Sequence, residues 1–388
     1  MASPRFHKRI MLLSLPFVRL FLRLKTGFRK TPAPDLPDHF LLICNHVTNF
    51  DPFLLAAMLR HHTYFVATEH ILGQGWLSKI LVFLVDPIGL PKGGAAAGAV
   101  METLRRLKDG HSVAIFAEGN CSWDGLTGSF SESTGKMVRV SGAPLVTCRI
   151  RGGYFTHPRW AYSTRRGPFT AEVVAVYQPE ELKAMKPAEI NRRIAEDIFE
   201  DAYAAQKKDP HPYKGKDLAK GIGHALVICP KCHRIDSVRG RGNTFSCECG
   251  LKGSYDEYGY LCINDCDFTT VTEWDAWQHA YLQSLPDPKE GDPETVLAED
   301  ECLRLVIHSE NHERTEVTRG RAAMSAQSFR VGEKVFPLSQ IADMAVRLKG
   351  TVSFSMKDGQ FFELMPLQKG SFYSGRKYKL LFDRFHPV

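Results

Sequence analysis

Short apolar runs of strand length alternate with helical patterns from residue 40 to residue 206, and this alternation limits the fold more than any other feature of the chain. The segments 40–45 (FLLICN), 63–68 (TYFVAT), 111–119, 144–150 and 169–177 read as strands. The segments 52–60, 94–108 and 189–206 read as helices, the second closed by Gly110. Strands this apolar need cover on both faces. A helix between successive strands supplies that cover and forces parallel pairing. The expectation is an α/β domain with a mostly parallel sheet and flanking helices.

The pattern changes beyond residue 210. PHPYKGKDLAKGIG (210–223) is polar, rich in Gly, Pro and Lys, and reads as a linker. Cys229 and Cys232 follow in CPKC, and Cys247 and Cys249 in CECG. Four thiolates in two close pairs on hairpin knuckles suit tetrahedral zinc, so a small ribbon with one structural zinc is expected over 225–283. Free thiols in a metal-less hairpin are the alternative. His233, Cys262 and Cys266 stay outside the ligand set. Trp274, Trp277 and Tyr281 fall on one side of a short helix and read as packing. A second linker spans 284–294. Residues 295–388 alternate apolar and polar between turns, which predicts an antiparallel β-rich domain, of pleckstrin-homology shape by fold analogy alone. Ten cysteines, four of them in one metal-ligand pattern, fit a reducing compartment better than a secreted disulfide scaffold.

Charge is uneven. Lys and Arg outnumber Asp and Glu 30 to 20 up to residue 220, and are outnumbered 20 to 23 beyond it. The basic half asks for an anionic partner: a membrane, a nucleic acid or a phosphorylated substrate. Residues 1–30 hold eight Lys or Arg and no acid. Within them IMLLSLPFVRLFLRL (10–24) is apolar for only nine residues before Arg19, too short to span a bilayer. Arg19 and Arg23 share a helical face, and Pro16 kinks or starts a helix. A basic amphipathic helix lying in the membrane interface is expected. A helix packed on the domain and a targeting segment are the alternatives, although no A-x-A-like cleavage site follows. The expected location is cytoplasmic, peripheral on the inner face of the cell membrane. Arg239 and Arg241 offer a contact tip on the ribbon, but a ribbon also simply caps a domain edge, and nucleic acid is not an expected partner.

Candidate chemistry starts at NHVTNFD (45–51), between a strand and a helix. Histidine is the side chain tuned for proton transfer near neutral pH, and a carboxylate in reach fixes its tautomer. Asp51 before Pro52 also makes an ordinary helix start. Lys92 precedes the glycine- and alanine-rich start of a helix, where free amides can hold a phosphate; close helix packing explains such a run equally well. IFAEGNCS (115–122) ends a buried strand with Glu118 and Gly119 at the loop.

Taken in order, His46-x4-Asp51, the Lys92-Gly93 block, Phe116-Ala117-Glu118-Gly119 and Ala143-Pro144-Leu145-Val146 resemble the glycerolipid acyltransferase family. Its type members are the 1-acylglycerol-3-phosphate acyltransferases, which make phosphatidic acid. The resemblance covers roughly residues 36–210, within an acyltransferase domain placed at 31–210. It implies that His46 takes the proton of an acceptor hydroxyl as that oxygen attacks an acyl thioester, with Asp51 orienting His46 and no acyl-enzyme. It further implies that Lys92 and the amides near Gly93 hold the acceptor phosphate, with Glu118, Gly119 and Asn120 in the acceptor loop. Implied partners are a lipid surface, a lysophospholipid, and acyl-CoA or acyl carrier protein as donor; no catalytic cofactor is implied. One position departs from the family pattern. Cys121 stands where an arginine is usual, and a thiol does not replace a guanidinium. Arg149 and Arg151 are candidates to supply the charge. The departure keeps two alternatives open: an acceptor without phosphate, and a catalytically weak lipid-binding protein of the same fold.

Overall fold

Leu41–Cys44 is apolar throughout and buried throughout, and it forms β1 at the heart of a six-stranded sheet. In this computed structural model the described residues are 4–32, 34–59, 61–68, 86–90, 97–285, 294–308, 314–347, 349–367 and 372–386. They divide into one unit of residues 1–159, 163–216 and 257–259, and a second of 160–162, 217–256 and 260–388.

In the first unit, α1 (Pro4–Thr26) precedes β1, followed by α2 (Asp51–Leu59), β2 (Thr63–Thr68), β3 (Ile88–Leu90), α3 (Ala97–Lys108), β4 (Ser112–Phe116) and α4 (Ser133–Ser141). Then come β5 (Leu145–Arg151), α5 (Gly153–Thr156), β6 (Thr170–Tyr177), α6 (Pro179–Ala184), α7 (Pro187–Ile198) and α8 (Ala202–Lys208). The sheet order is β3-β2-β4-β1-β5-β6, parallel except for the antiparallel edge strand β6. The mostly parallel sheet with flanking helices is therefore present as expected. The chain leaves β1 toward β2 on one side and leaves β4 toward β5 on the other. Right-handed crossovers then place α2 and α4 on opposite faces, and the loops after β1 and β4 part at adjacent strands. That divergence is where open α/β sheets form a crevice.

Two helical expectations change. The single helix over 189–206 is broken into α7 and α8: Phe199 is extended and half exposed, and Asp201 caps α8 by accepting from the Ala204 amide at 2.9 Å. Pro16 neither starts nor ends α1, which runs through it for 23 residues. α1 buries Leu15, Leu22 and Thr26 and turns Leu13, Phe17, Leu20, Phe21 and Leu24 outward, with Leu13 74% and Phe17 75% exposed. These outward residues recur at helical spacing and form one ridge. Arg19 lies on the inner side, where its guanidinium donates to the Ala57 carbonyl at the end of α2. Among the described residues no helix is long and apolar enough to cross a membrane.

The second unit holds a four-stranded antiparallel ribbon, β7 (Arg239–Arg241), β8 (Thr244–Ser246), β9 (Lys252–Tyr255) and β10 (Leu261–Ile263), then α9 (Val271–Ser284). After it comes a seven-stranded antiparallel sheet of β11 (Ala298–His308), β12 (Arg314–Met324), β13 (Ser328–Val331), β14 (Lys334–Pro337), β15 (Ile341–Arg347), β16 (Thr351–Met356) and β17 (Phe361–Pro366). Helix α10 (Arg376–Phe385) closes it. Buried ion pairs tie ribbon and sheet into this one unit. Lys377, 2% exposed, holds Asp236 and Asp300 at 2.7 Å each, and Arg376 holds Asp275 at 2.7 Å.

Candidate active site

β1 ends at Cys44, and the chain turns at once. Asn45 explains the turn: its side chain donates to the Ile150 carbonyl at 3.0 Å and accepts from the Ile150 amide at 2.7 Å, fastening the strand end to β5. His46 and Asp51 then face each other across a four-residue loop. His46 Nδ1 donates to Asp51 Oδ2 at 2.9 Å. The same oxygen accepts from the Val47 and Thr48 amides at 2.7 and 2.9 Å, and Oδ1 accepts from the Thr48 hydroxyl at 2.7 Å. Asp51 is wholly buried. A buried carboxylate with four donors is satisfied, and its position is fixed by backbone rather than by rotamer choice. Asp51 begins α2, as a simple helix start would have it, but its side chain turns to the loop and the imidazole.

Glu118 joins the second loop to the first. It follows β4, the neighbour of β1, and accepts from the His46 amide at 2.7 Å and the Gly128 amide at 2.6 Å. Phe116 stacks on the His46 ring, centroids 4.5 Å apart. Burial alone would lower the His46 pKa, but the neighbouring Cys121 thiol and the Asp51 carboxylate outweigh it and hold His46 well above the ordinary imidazole value. Burial pushes Glu118 up to about 7 against the pull of the two amides it binds. Glu200 is also lifted to about 7, again by burial, against Arg151 and Arg149. His46, Glu118 and Glu200 line one cavity of about 10 Å³, room for a single water.

The structure thus brings together His46, Asp51 and Glu118, with Gly119, Asn120 and Cys121 on the loop that follows. Lys92 and Gly93 lie outside the described residues. Arg149 and Arg151 make their contacts elsewhere than at Cys121, although both act on Glu200 and Arg151 lies 3.9 Å from it. Arg149 donates to the Asp197 and Glu196 carbonyls at the end of α7, and Arg151 pairs with Glu172 at 3.0 Å. The guanidinium beside the loop is Arg159, which no local pattern marked. It donates to the Cys121 carbonyl at 2.9 Å, lies 3.4 Å from Asn120 Oδ1 and covers the Trp123 ring at 4.2 Å. Glu200 was equally unmarked.

Residues 26–151 match the acyltransferase family model. The span runs from the end of α1 through β5 and contains His46, Asp51, Glu118 and Cys121, so the acyltransferase resemblance of the four blocks holds over this region. Among solved structures, the chain is similar to the 1-acyl-sn-glycerophosphate (LPA) acyltransferase PlsC from Thermotoga maritima, at 16% identity and a TM-score of 0.42, over 53% of this chain and 78% of that one. It also matches the C-terminal domain of an unknown protein from Leishmania infantum, at 14% identity and a TM-score of 0.16, over 28% of this chain and 98% of that one.

In the second unit Cys229, Cys232, Cys247 and Cys249 converge, with all four Sγ atoms within 4.8 Å of one another. Cys229 and Cys249 are 3.6 Å apart, and Cys232 and Cys247 are 3.7 Å apart. These are not disulfides. Zinc–sulfur bonds of about 2.3 Å in a tetrahedron separate sulfurs by about 3.8 Å, so the donor set fits such an ion. Each pair is followed by a residue at positive φ, His233 and Gly250, which turns the backbone around the sulfurs. His233 is no member of the cluster; its ring packs on Tyr281 at 4.6 Å.

Proposed function

We propose that this protein transfers a fatty acyl group from an acyl thioester to the free hydroxyl of a lysophospholipid, 1-acylglycerol-3-phosphate above others, giving phosphatidic acid. The observation that carries this reading is the His46–Asp51 pair on a loop within the region that matches the acyltransferase model. His46 Nδ1 is committed to Asp51, which leaves Nε2 to take the proton. The acceptor oxygen attacks the thioester carbonyl, the carbon–sulfur bond breaks, and the thiol leaves. The hydroxyl proton passes to His46, Asp51 stabilises the imidazolium that forms, and the imidazolium gives that proton to the departing thiolate, so the sulfur leaves as a thiol and His46 returns to its neutral form. Glu118 holds the loop through the His46 amide. Gly119, Asn120 and Arg159 border the acceptor, and Lys92 and Gly93 hold its phosphate on the family reading. The donor is acyl-CoA or acyl carrier protein.

The outward ridge of α1 and the basic first thirty residues support action at a lipid surface, on the cytoplasmic face of the cell membrane. The cysteine geometry supports one structural zinc held by Cys229, Cys232, Cys247 and Cys249, within a ribbon spanning 225–283. The paired strand meanders and the closing helix favour a pleckstrin-homology-like shape for 295–388.

Thiol release from acyl-CoA, with identification of the lipid product, tests the reading across lysophosphatidic acid, uncharged monoacylglycerol and other lysolipids. Acceptor-dependent release with phosphatidic acid as product is expected. Activity confined to uncharged acceptors removes the phosphate acceptor, and no transfer to any acceptor leaves the lipid-binding alternative.

A further inference from the structure

A cavity of about 910 Å³ opens in the first unit where three segments meet: the end of α1 with residues 27–30, residues 166–168, and residues 211–214. It shares no lining residue with the His46 loop. Arg19, already engaged with Ala57, and five further cations line it: Arg23, Arg29, Lys30, Arg166 and Lys214. No Asp or Glu lines it. Among the described residues none of those five cations has an ion-pair partner; Asp209 is held at 3.0 Å by His211, itself a lining residue.

The backbone fixes this charge in place. Arg166 and Lys214 face each other in an antiparallel bridge, with reciprocal hydrogen bonds of 2.8 and 3.0 Å. Like charges directly opposite each other destabilise such a pair. Phe28 bridges Phe169, the Arg29 amide donates to Phe169 at 3.0 Å, and the Gly167 amide donates to Thr26 at 3.1 Å. Gly27 makes that approach possible: its φ is +83°, and a Cβ there would run into the Gly167 carbonyl. Arg23 can be explained by the carbonyl end of α1, which favours cations. Arg166 and Lys214 come from distant segments and have no such explanation.

The cavity also adjoins the apolar ridge. Leu20, 56% exposed, belongs to both. A fixed cluster of unpaired cations beside an exposed apolar stripe matches a molecule with an anionic head and a hydrocarbon body. We infer that this cavity takes the phosphate-bearing headgroup of an anionic phospholipid in the bilayer, apart from the lysolipid acceptor, with the acyl chains against the α1 ridge. The inference rests on the bilayer reading given above and makes it specific: docking requires anionic lipid and uses residues outside α1.

The test is sedimentation of the full-length protein with vesicles of phosphatidylcholine alone and of phosphatidylcholine mixed with phosphatidylglycerol. The variant is Arg166→Gln with Lys214→Gln. Both side chains are exposed, so an unchanged melting temperature is expected. Lys136→Gln with Lys183→Gln removes the same charge from exposed positions outside the cavity. The wild type should prefer the anionic vesicles. The cavity variant should lose about tenfold or more of that affinity, as two basic contacts near an anionic surface imply, and the control pair much less. Equal loss in both variants would mean diffuse attraction and overturn the cavity. Failure of the wild type to bind either vesicle would overturn the bilayer reading as well. Inorganic phosphate is the soluble probe: if it raises the melting temperature of the wild type but not of the cavity variant, while vesicle binding is the same in both, the ligand is a soluble phosphate and the lipid assignment falls. Acyl transfer is not the readout, so its absence would leave this result intact.

Discussion

Asp51→Asn separates the chemical role of Asp51 from its structural one. In the native loop Asp51 Oδ2 takes three donors and Oδ1 takes the Thr48 hydroxyl. An asparagine with its oxygen at the Oδ2 position keeps the Val47 and Thr48 amides and the His46 contact. Its amide nitrogen meets the Thr48 hydroxyl, which can turn to accept. What disappears is the charge. Several charge-assisted hydrogen bonds become neutral ones, a stability loss of about 1–2 kcal/mol. The imidazolium formed during transfer loses its counter-charge, a rate loss of about 10²–10⁴-fold. The pH profile should change as well. His46 must be neutral to accept a proton, so activity rises as pH passes through its raised pKa. Removing the carboxylate withdraws one cause of that elevation, so the rising limb moves to lower pH while the plateau falls. Thiol release measured from pH 5 to 9, about, beside a thermal melt, reads all three effects. A rate within about twofold of wild type at every pH, or a rate loss fully accounted for by unfolding, would refute the reasoning.

Two further outcomes follow from the geometry. The Glu118 pKa is raised from an ordinary 4.5 to about 7, so its contribution to stability is full below the unfolded value and is lost as pH rises through about 7, a swing of about 3 kcal/mol. Glu118→Gln should therefore flatten part of the decline in melting temperature between those pH values; an unchanged slope would show that Glu118 is not the titrating group. The wild type should carry one zinc per chain, and Cys232→Ser should abolish it and lower the cooperative melting of the second unit. Metal-free wild-type protein with the same melt as the variant would rule out a structural ion.

Much of this architecture was readable because its signals are local. A strand buried on both faces is apolar throughout, so β1 stands out, and β4 and β5 follow it through the apolar runs Val113–Phe116 and Leu145–Val146; β3, three residues beside prolines, does not. The cysteine cluster was legible because the spacing of its thiols is set within hairpin knuckles. The His46–Asp51 pair was legible because both residues sit on one short loop. Arg159 was not, because it reaches the Cys121 carbonyl from 38 residues away with no periodicity to announce it. The joining of ribbon and C-terminal sheet was hidden for the same reason: it runs through Lys377 and Asp236, 141 residues apart. Arg149 and Arg151 look like substitutes by position, yet helix-end carbonyls and Glu172 occupy them.

The central claim is that His46 is the base for direct acyl transfer, and His46→Ala tests it most directly. The imidazole is partly exposed, and Asp51 keeps the two loop amides and the Thr48 hydroxyl when it is removed, so no buried group is orphaned. Acceptor-dependent thiol release from acyl-CoA should fall by about 10²–10⁴-fold or more while the melting temperature changes little. Transfer at the wild-type rate by the folded variant would contradict the account.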